Sequence, residues 1–297
     1  MRRAVPWLLL LACLAIGAVS AEVQSPARSA DLAGLMDRVA DRLERYYARA
    51  QSIICEEVVR LQPLGADLLP DGSHVRELVY ELRVSWEAST DGGKPAAPTV
   101  LRHLLTVDGR PPRPRDEPSC FDPKPVSPEP LEMLLRHRQP EYVFSWRGER
   151  RERGRPSVMI EARLPQVKPS VVVWNGDCGK IDAPGRSRWR VWIDRETADV
   201  LRLDEQLSSQ FDVPIPGTRR GRPNMPTSYT IDRADSSISY KPITFTDPDE
   251  TVLLPDSIIS LQVIRNSGTP RLRTMQKFSR YRRFITGGRI LEAVESK

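Results

Sequence analysis

The fold of this chain is decided by one stretch, RWRVWIDRETADVLRLD, which spans residues 188–204. Apolar and polar side chains alternate on both sides of a short polar segment at 195–197. A period of two is typical of a strand with one buried face. The stretch therefore predicts a hairpin of strands 189–194 and 199–207, in which Trp189 and Trp192 lie on opposite faces.

The same period recurs along most of the chain, whereas the N-terminal part has a helical one. Strands are predicted at 53–62, 77–87, 101–107, 142–147, 157–164, 227–232, 237–245, 257–265 and 271–284, and loops at 165–186 and 208–226. A helix is predicted at 30–49 from apolar residues mostly three and four apart: Leu32, Leu35, Met36, Val39, Leu43, Tyr46 and Tyr47. A second, short helix is predicted at 129–137. The predicted fold class is α+β: a curved antiparallel sheet, or half-barrel, with both helices on its concave face.

The hairpin at 188–204 also resembles one that is common in periplasmic lipoprotein-carrier-like proteins, whose pattern is roughly W-x-D-x-x-T-G-x-[LV]-x-[RK]. These include outer-membrane lipoprotein-sorting carriers and the related sensor domains of envelope stress. The chain looks closer still to uncharacterised secreted bacterial proteins with an ending like FSRYRRF, here residues 278–284. Ala198-Asp199 stands where the family usually has Gly, so we expect Asp199 to adopt a left-handed conformation. The resemblance implies a hydrophobic-ligand carrier or an envelope sensor.

Residues 1–21 have the features of a cleavable secretory signal peptide. Arg2 and Arg3 precede an apolar stretch that is shorter than the ~20 residues of a membrane span, and small residues end it at Ala21. We expect cleavage after Ala21, a flexible leader at 22–29, a single β-rich domain at 30–290, and a periplasmic or secreted protein. The alternatives are a retained anchor and a lipid-modified Cys13.

The charge of the chain bears on its partners. The formal net charge is +6, and arginines cluster at 147–155, 219–222 and 280–283. In an exported protein we expect such clusters to contact solvent, an anionic membrane surface or an acidic protein rather than nucleic acid.

Three cysteines remain after the predicted cleavage. Cys120 and Cys178 lie in polar, turn-rich segments, and Cys55 lies in an apolar run. Because an exported protein meets an oxidising compartment, we expect a Cys120–Cys178 disulfide and a buried, free Cys55.

Catalytic signals are poor. His74, His103 and His137 are not in metal-ligand spacing, and the sequence contains no nucleophile elbow, phosphate loop or dinucleotide fingerprint. We therefore predict a protein that is not an enzyme and has neither cofactor nor metal. A hydrolase is the third functional hypothesis, after the two binding roles given below.

Five residues are candidates for ligand contact. Glu57 shares the apolar face of its strand, where an unpaired carboxylate is costly, so it either pairs with a structural arginine or anchors a ligand. The other four are aromatic, and each either belongs to the core or lines a hydrophobic cavity: Tyr80, Trp86, Trp146 and Trp189.

The leading functional hypothesis is a periplasmic binding protein for a hydrophobic ligand: an acyl chain, a lipid or a lipidated peptide. The alternative is an envelope interaction or sensor protein without a stable ligand. The concave face separates the two, because an open cavity favours the carrier and a face filled by helix and aromatics favours the interaction protein.

Overall fold

A computed structural model of the chain describes residues 26–49, 53–85, 99–116, 129–175, 178–215, 226–246, 249–267, 271–285 and 289–294. Its α-helix is α1 (Pro26–Arg49). Short 3₁₀ helices span Pro114–Asp116, Glu129–Leu134 and Gln139–Glu141. The strands are β1 (Ile53–Leu64), β2 (Arg76–Ser85), β3 (Thr99–Val107), β4 (Val143–Glu152), β5 (Arg155–Arg163), β6 (Val171–Asn175), β7 (Cys178–Asp182), β8 (Ser187–Asp194), β9 (Val200–Leu207), β10 (Phe211–Pro214), β11 (Ser228–Thr246), β12 (Asp249–Arg265), β13 (Arg271–Ile285) and β14 (Arg289–Val294).

Helix α1 forms because its apolar residues fall on one face. That face is buried in the main core, and its members are Leu32, Leu35, Met36, Val39 and Leu43. The helix begins at Pro26, a residue whose fixed φ suits the first turn. Residues 26–29, which the sequence predicted as part of a flexible leader, are therefore helical. Residues 22–25 lie outside the described part of the chain.

Twelve of the described strands form one open antiparallel sheet. Its order is β3-β2-β1-β13-β12-β11-β9-β8-β5-β4, with β10 and β14 paired at the side. Strands β6 and β7 form a separate two-stranded hairpin. The first and last long strands are neighbours, because β1 pairs with both β2 and β13.

The sheet is curved around α1, which confirms the predicted fold class. Neighbouring strands lie ~4.8 Å apart, so ten of them laid flat would be ~45 Å wide, whereas a helix with its side chains is ~10 Å across. Nevertheless strands β1, β2, β5, β8, β9, β11, β12 and β13 all contribute buried residues to the core cluster that contains α1. A flat sheet would spread these strands over several helix widths, so the single core that they share with one helix indicates that the sheet bends around it.

The predicted second helix lies against the same core but is shorter than expected. It is a 3₁₀ helix of six residues, Glu129–Leu134, followed by turns. Its apolar side chains are buried beside α1: Leu131, Met133, Leu134 and Leu135. A 3₁₀ segment rarely extends beyond one or two turns, because its hydrogen-bond geometry is poorer than that of an α-helix, so the segment ends before residue 137.

Several strands differ from the sequence prediction. Strand β11 joins the predicted strands 227–232 and 237–245, because a bulge at Ile231/Arg233 lets the ladder continue through a polar segment. Strands β6, β7 and β10 lie in regions that were predicted as loops. Their runs of about five residues are too short for a clear period. Strand β14 extends past residue 290, the predicted end of the domain.

The hairpin at 188–204 forms as predicted, with one difference in its turn. Ala198, rather than Asp199, has the positive φ of 59°. The methyl group of Ala198 is buried in the main core, which explains why this position holds a side chain despite the strained backbone. Asp194 accepts hydrogen bonds from the backbone N–H groups of Glu196 and Thr197, both at 2.9 Å, and so closes the turn.

Candidate functional site

A cleft opens between the C-terminal half of α1 and the strands β11 and β12. The turn between β8 and β9 forms its third side. Its lining combines apolar side chains with charged ones. The main apolar members are Leu43, Tyr46, Leu131, Val200, Tyr240, Val252 and Leu253, and the charged ones are Arg42, Arg45, Asp199 and Glu250.

The floor of the cleft belongs to the main core. Leu43 and Tyr240 are buried in that core, and Tyr46 and Leu253 pack against it. Burial raises the pKa of the Tyr46 and Tyr240 hydroxyls well above their usual range, so both stay protonated. The floor is therefore uncharged at physiological pH.

Most of the rim charges are paired. Arg42 donates to Asp199 over 2.6 Å, and Asp199 also accepts from the hydroxyl of Thr197 at 2.8 Å. Glu250 is bound by Arg283. Arg45 is exposed and donates to the backbone carbonyl of Asp41, and among the described residues no carboxylate side chain lies within ion-pair range of it. The rim thus presents one cation that is open to solvent.

The cleft is small in this conformation. Its cavity volume is about 40 Å³. Since a water molecule needs ~10–15 Å³ on this scale, the space holds about three waters and is too small for an acyl chain. The rest of the concave face is filled by α1 and by the segment that follows residue 129.

Glu57 lies away from this cleft, in a buried polar network. Its carboxylate accepts two hydrogen bonds from Arg102, both at 2.8 Å, and one from the amide of Gln276 at 2.7 Å. Burial raises the pKa of Glu57, while the Arg102 charge and these hydrogen bonds oppose the rise. The arrangement matches the structural pairing that the sequence left open.

Tyr80 belongs to the same network. It is the cross-strand neighbour of Glu57, and its ring lies 3.8 Å from the guanidinium carbon of Arg102. Tyr80 is buried in a second, smaller cluster around Val59 and Leu78 rather than under α1. Glu57 and Tyr80 therefore meet each other but do not line the cleft.

The predicted tryptophans lie elsewhere. Trp146 on β4 and Trp189 on β8 are half-buried and pack against the main core. Trp189 makes an edge contact with Tyr142, and its side chain hydrogen-bonds Glu205. Trp192 lies on the other face beside Arg202, which confirms that the two hairpin tryptophans point in opposite directions. Trp86 lies outside the described residues.

The cysteine predictions have separate outcomes. Cys55 is a buried, free thiol, as predicted, and burial raises its pKa. Cys120 lies outside the described residues, and for Cys178 only the backbone of β7 is described. The Cys120–Cys178 disulfide stays a prediction.

Sequence reasoning did not find the cleft itself. Asp199 and Tyr240 lie far from α1 in sequence, and only the curvature of the sheet brings them to Arg42 and Tyr46. One sequence feature pointed toward the cleft: Arg42 and Arg45 are three residues apart on the polar face of the predicted helix, so they are close neighbours on its surface.

Two further features bear on function. Within the described ranges, no group of three or more His, Cys, Asp or Glu residues is placed to hold a metal ion. None of the helices among those same residues is long and apolar enough to cross a membrane.

No protein-family model matches the chain, and no curated protein is similar to it in sequence. Solved structures are similar at low identity. An outer membrane lipoprotein-sorting protein domain from Vibrio parahaemolyticus is 11% identical, with a TM-score of 0.36, over 86% of this chain and 93% of that one. A DUF1329 family protein from Desulfovibrio piger is 11% identical, with a TM-score of 0.40, over 86% and 94%. A LolA superfamily protein from Nitrosomonas europaea is 9% identical, with a TM-score of 0.32, over 83% and 92%.

Proposed function

We propose that the protein is a non-enzymatic binding protein of the cell envelope that takes a hydrophobic ligand at the cleft beside α1. The ligand is an acyl chain, a lipid or a lipidated peptide, and the protein is periplasmic or secreted after cleavage at Ala21. The observation that carries the proposal is the composition of the cleft. It has an uncharged apolar floor and a charged rim, which is typical of sites for amphiphilic molecules.

The side chains of the cleft support binding rather than catalysis. Among the residues that the structure describes, neither His nor Cys lines it. Its two carboxylates, Asp199 and Glu250, are each held by an arginine. An ion-paired carboxylate is a poor general base, because its partner stabilises the charged form.

Ligand entry requires α1 to move, because the cleft holds only about three waters. The helix is well suited to act as a lid. Its polar contacts include Arg42–Asp199, and Arg136 with Asp37 and Asp41 at 2.8 and 2.5 Å. While α1 stays in place, its apolar face covers the surface that a hydrophobic ligand would use.

We infer a role for the predicted tryptophans in this open state. Strand β4 contacts α1, and both Trp146 and Trp189 pack half-buried against the core that α1 covers. When α1 lifts, these two rings would become walls of the ligand site. Glu57 and Tyr80 would stay structural, because the carboxylate of Glu57 and the ring of Tyr80 are both engaged with Arg102.

The proposal is tested by ligand displacement with a fluorescent fatty acid on the protein purified from its own cell envelope. Leu253→Arg places a charge on the cleft floor, and Ile259→Arg is the matched control on the same strand, at a side chain that is 51% exposed. We expect Leu253→Arg to weaken binding at least tenfold and Ile259→Arg to leave it unchanged. Equal affinity in both variants, with both folded, would overturn the assignment of the cleft.

One observation favours a second candidate, an envelope interaction or sensor protein without a stable ligand. The concave face is largely filled by α1 and the 129–135 segment. Mass spectrometry of organic extracts from the purified protein separates the two candidates. A bound lipid at near-equal amounts supports the carrier, and an empty protein that also fails to displace the fatty acid supports the interaction protein.

A further inference from the structure

Exposed basic and apolar residues occur in segment 163–188 at one end of the sheet, away from the cleft. Strand β5 ends there at Arg163, and β8 begins at Ser187. The chain between them contains the hairpin β6–β7. The cleft lies at the other end of β8, beside Asp199. We call this surface the end surface and define it by Arg163, Val167, Lys168, Val171, Val173 and Arg188.

The hairpin that carries part of this surface is firmly attached. Val172 and Ile181 pack against a cluster centred on Phe211. Arg186 donates to the hydroxyl of Ser170 at 2.9 Å and lies over the ring of Phe211. Side chains that point away from these contacts are therefore held out toward solvent.

The preceding loop is fixed by a close backbone approach. A Cβ atom on Gly185 would lie 2.1 Å from the carbonyl oxygen of Gln166, so only glycine fits there. The backbone N–H of Lys168 also donates to the carbonyl of Pro184 at 3.0 Å. Val167 and Lys168 thus have a defined position beside the start of β8.

Three valines of the end surface are strongly exposed. Val167, Val171 and Val173 are 60%, 49% and 54% exposed. Single exposed apolar residues are ordinary, but three within seven residues, on a segment that is held in place, form a patch.

The described charged residues of this segment are mostly basic: Arg163, Lys168, Lys180, Arg186 and Arg188, against Asp182. Arg163 and Arg188 are direct cross-strand neighbours, a like-charge arrangement that destabilises a sheet. No carboxylate of the described chain is within ion-pair range of either. Lys180 pairs across the hairpin with Val173, and Asp182 lies opposite Val171.

We propose that the end surface docks on an anionic membrane surface. The lipid phosphates would bind Arg163 and Arg188, and the membrane interface would bury the exposed valines. A bilayer also requires no groove, which suits the outer face of a sheet. The proposal is independent of the proposed function, since the end surface and the cleft share no residue.

Co-sedimentation with phosphatidylcholine vesicles, with and without phosphatidylglycerol, tests the proposal. We expect binding only with phosphatidylglycerol, weakened by high salt. Arg163→Gln with Arg188→Gln should lower the partition coefficient about 25-fold, at about fivefold per charge. Val171→Ser with Val173→Ser should lower it about tenfold.

The controls are an exposed cation and an exposed apolar residue elsewhere. Arg38→Gln on α1 and Ile259→Ser on β12 should bind like the wild type. The arginine pair can be removed without unfolding, because its loss relieves repulsion, and denaturant melts check this. The proposal is overturned if the wild type ignores phosphatidylglycerol, as it would if an acidic protein were the partner. It is also overturned if the folded double arginine variant binds as well as the wild type.

Discussion

Arg42 of α1 donates a hydrogen bond to Asp199 in the β8–β9 turn over 2.6 Å, and this ion pair joins the helix to the hairpin that decides the fold. The helical period alone places Arg42 on the polar face, where a substitution is expected to cost within about 0.5 kcal/mol. The ion pair changes that expectation, because Asp199 is 8% exposed and would lose its cation.

Arg42→Ala should therefore lower the free energy of unfolding by about 1–2 kcal/mol. Arg38→Ala is the matched control. Arg38 lies on the same helix, and its hydrogen bond within the described part of the chain goes to the carbonyl of Gly34 instead of to a carboxylate. Its cost should stay within about 0.5 kcal/mol. Urea melts of the two variants give the comparison, and equal losses would mean that the Arg42–Asp199 pair contributes nothing to docking the helix.

Leu43→Ala should cost about 2–5 kcal/mol, because Leu43 is buried between α1 and the sheet. Glu44→Ala, the next residue on the exposed side, should cost within about 0.5 kcal/mol. Denaturant melts measure both. A small loss at Leu43 would indicate that the helix is detached in solution and would remove the basis of the lid proposed for the cleft.

Glu57 and Arg102 should behave as a coupled pair. Arg102→Leu alone should cost about 3–5 kcal/mol, because it leaves the Glu57 carboxylate buried beside Gln276 only. Combining it with Glu57→Leu should recover most of the loss, since the burial of both charges is then avoided. If the double variant is stable but loses the fluorescent fatty acid, Glu57 is a ligand anchor rather than a structural partner.

Asp194 should make the free energy of unfolding depend on pH in the acidic range. Burial alone raises its pKa, but the N–H groups of Thr197 and Glu196 and the charge of Arg155 lower it below the usual Asp value. A lowered folded pKa gives stability that is present above the unfolded pKa of about 3.9 and lost as the pH falls through the folded pKa. The advantage of the wild type over Asp194→Asn should be about 1 kcal/mol near neutral pH and shrink below about pH 4. Urea melts across this range measure it, and a constant difference would contradict the role of the charge.

The cysteines should separate into a bridge and an inert thiol. We predict a Cys120–Cys178 disulfide that closes a loop of roughly 60 residues and stabilises the fold by about 3–4 kcal/mol. Cys55 should resist alkylation in the folded protein, because burial raises its pKa and leaves little thiolate. Non-reducing peptide mapping tests both statements. A bridge that contains Cys55, or three free thiols, would refute them.

The elements with a long, regular period could be predicted from the sequence. Helix α1, strand β2 and the β8–β9 hairpin each bury one face. The spacing of their apolar residues along the sequence predicts which face is buried. The short strands β6 and β10 escaped because runs of about five residues show no clear period, and because they are held by packing of Phe211 against Val172 and Ile231, which are distant from it in sequence. Local alternation cannot report a contact of that kind.

The candidate site was less predictable than the fold. The burial of Glu57 followed from its position on an apolar face, but its partners did not: Arg102 and Gln276 come from β3 and β13. The cleft depends on where α1 ends against a curved sheet. That curvature arises from the whole strand order and is not encoded in any single segment.

The position of β13 between β1 and β12 has a consequence for folding. Glu57 and Gln276, which meet across these strands, are 219 residues apart in the chain. A high share of such non-local pairings slows folding, because loop-closure entropy must be overcome before the contacts form. Until β13 has formed, one edge of β1 is unpaired. The three strands β1, β2 and β3 then have no hydrogen-bonded ladder to the rest of the sheet. A chain shortened before β13 would therefore split into two incomplete sheets rather than lose only its last strands.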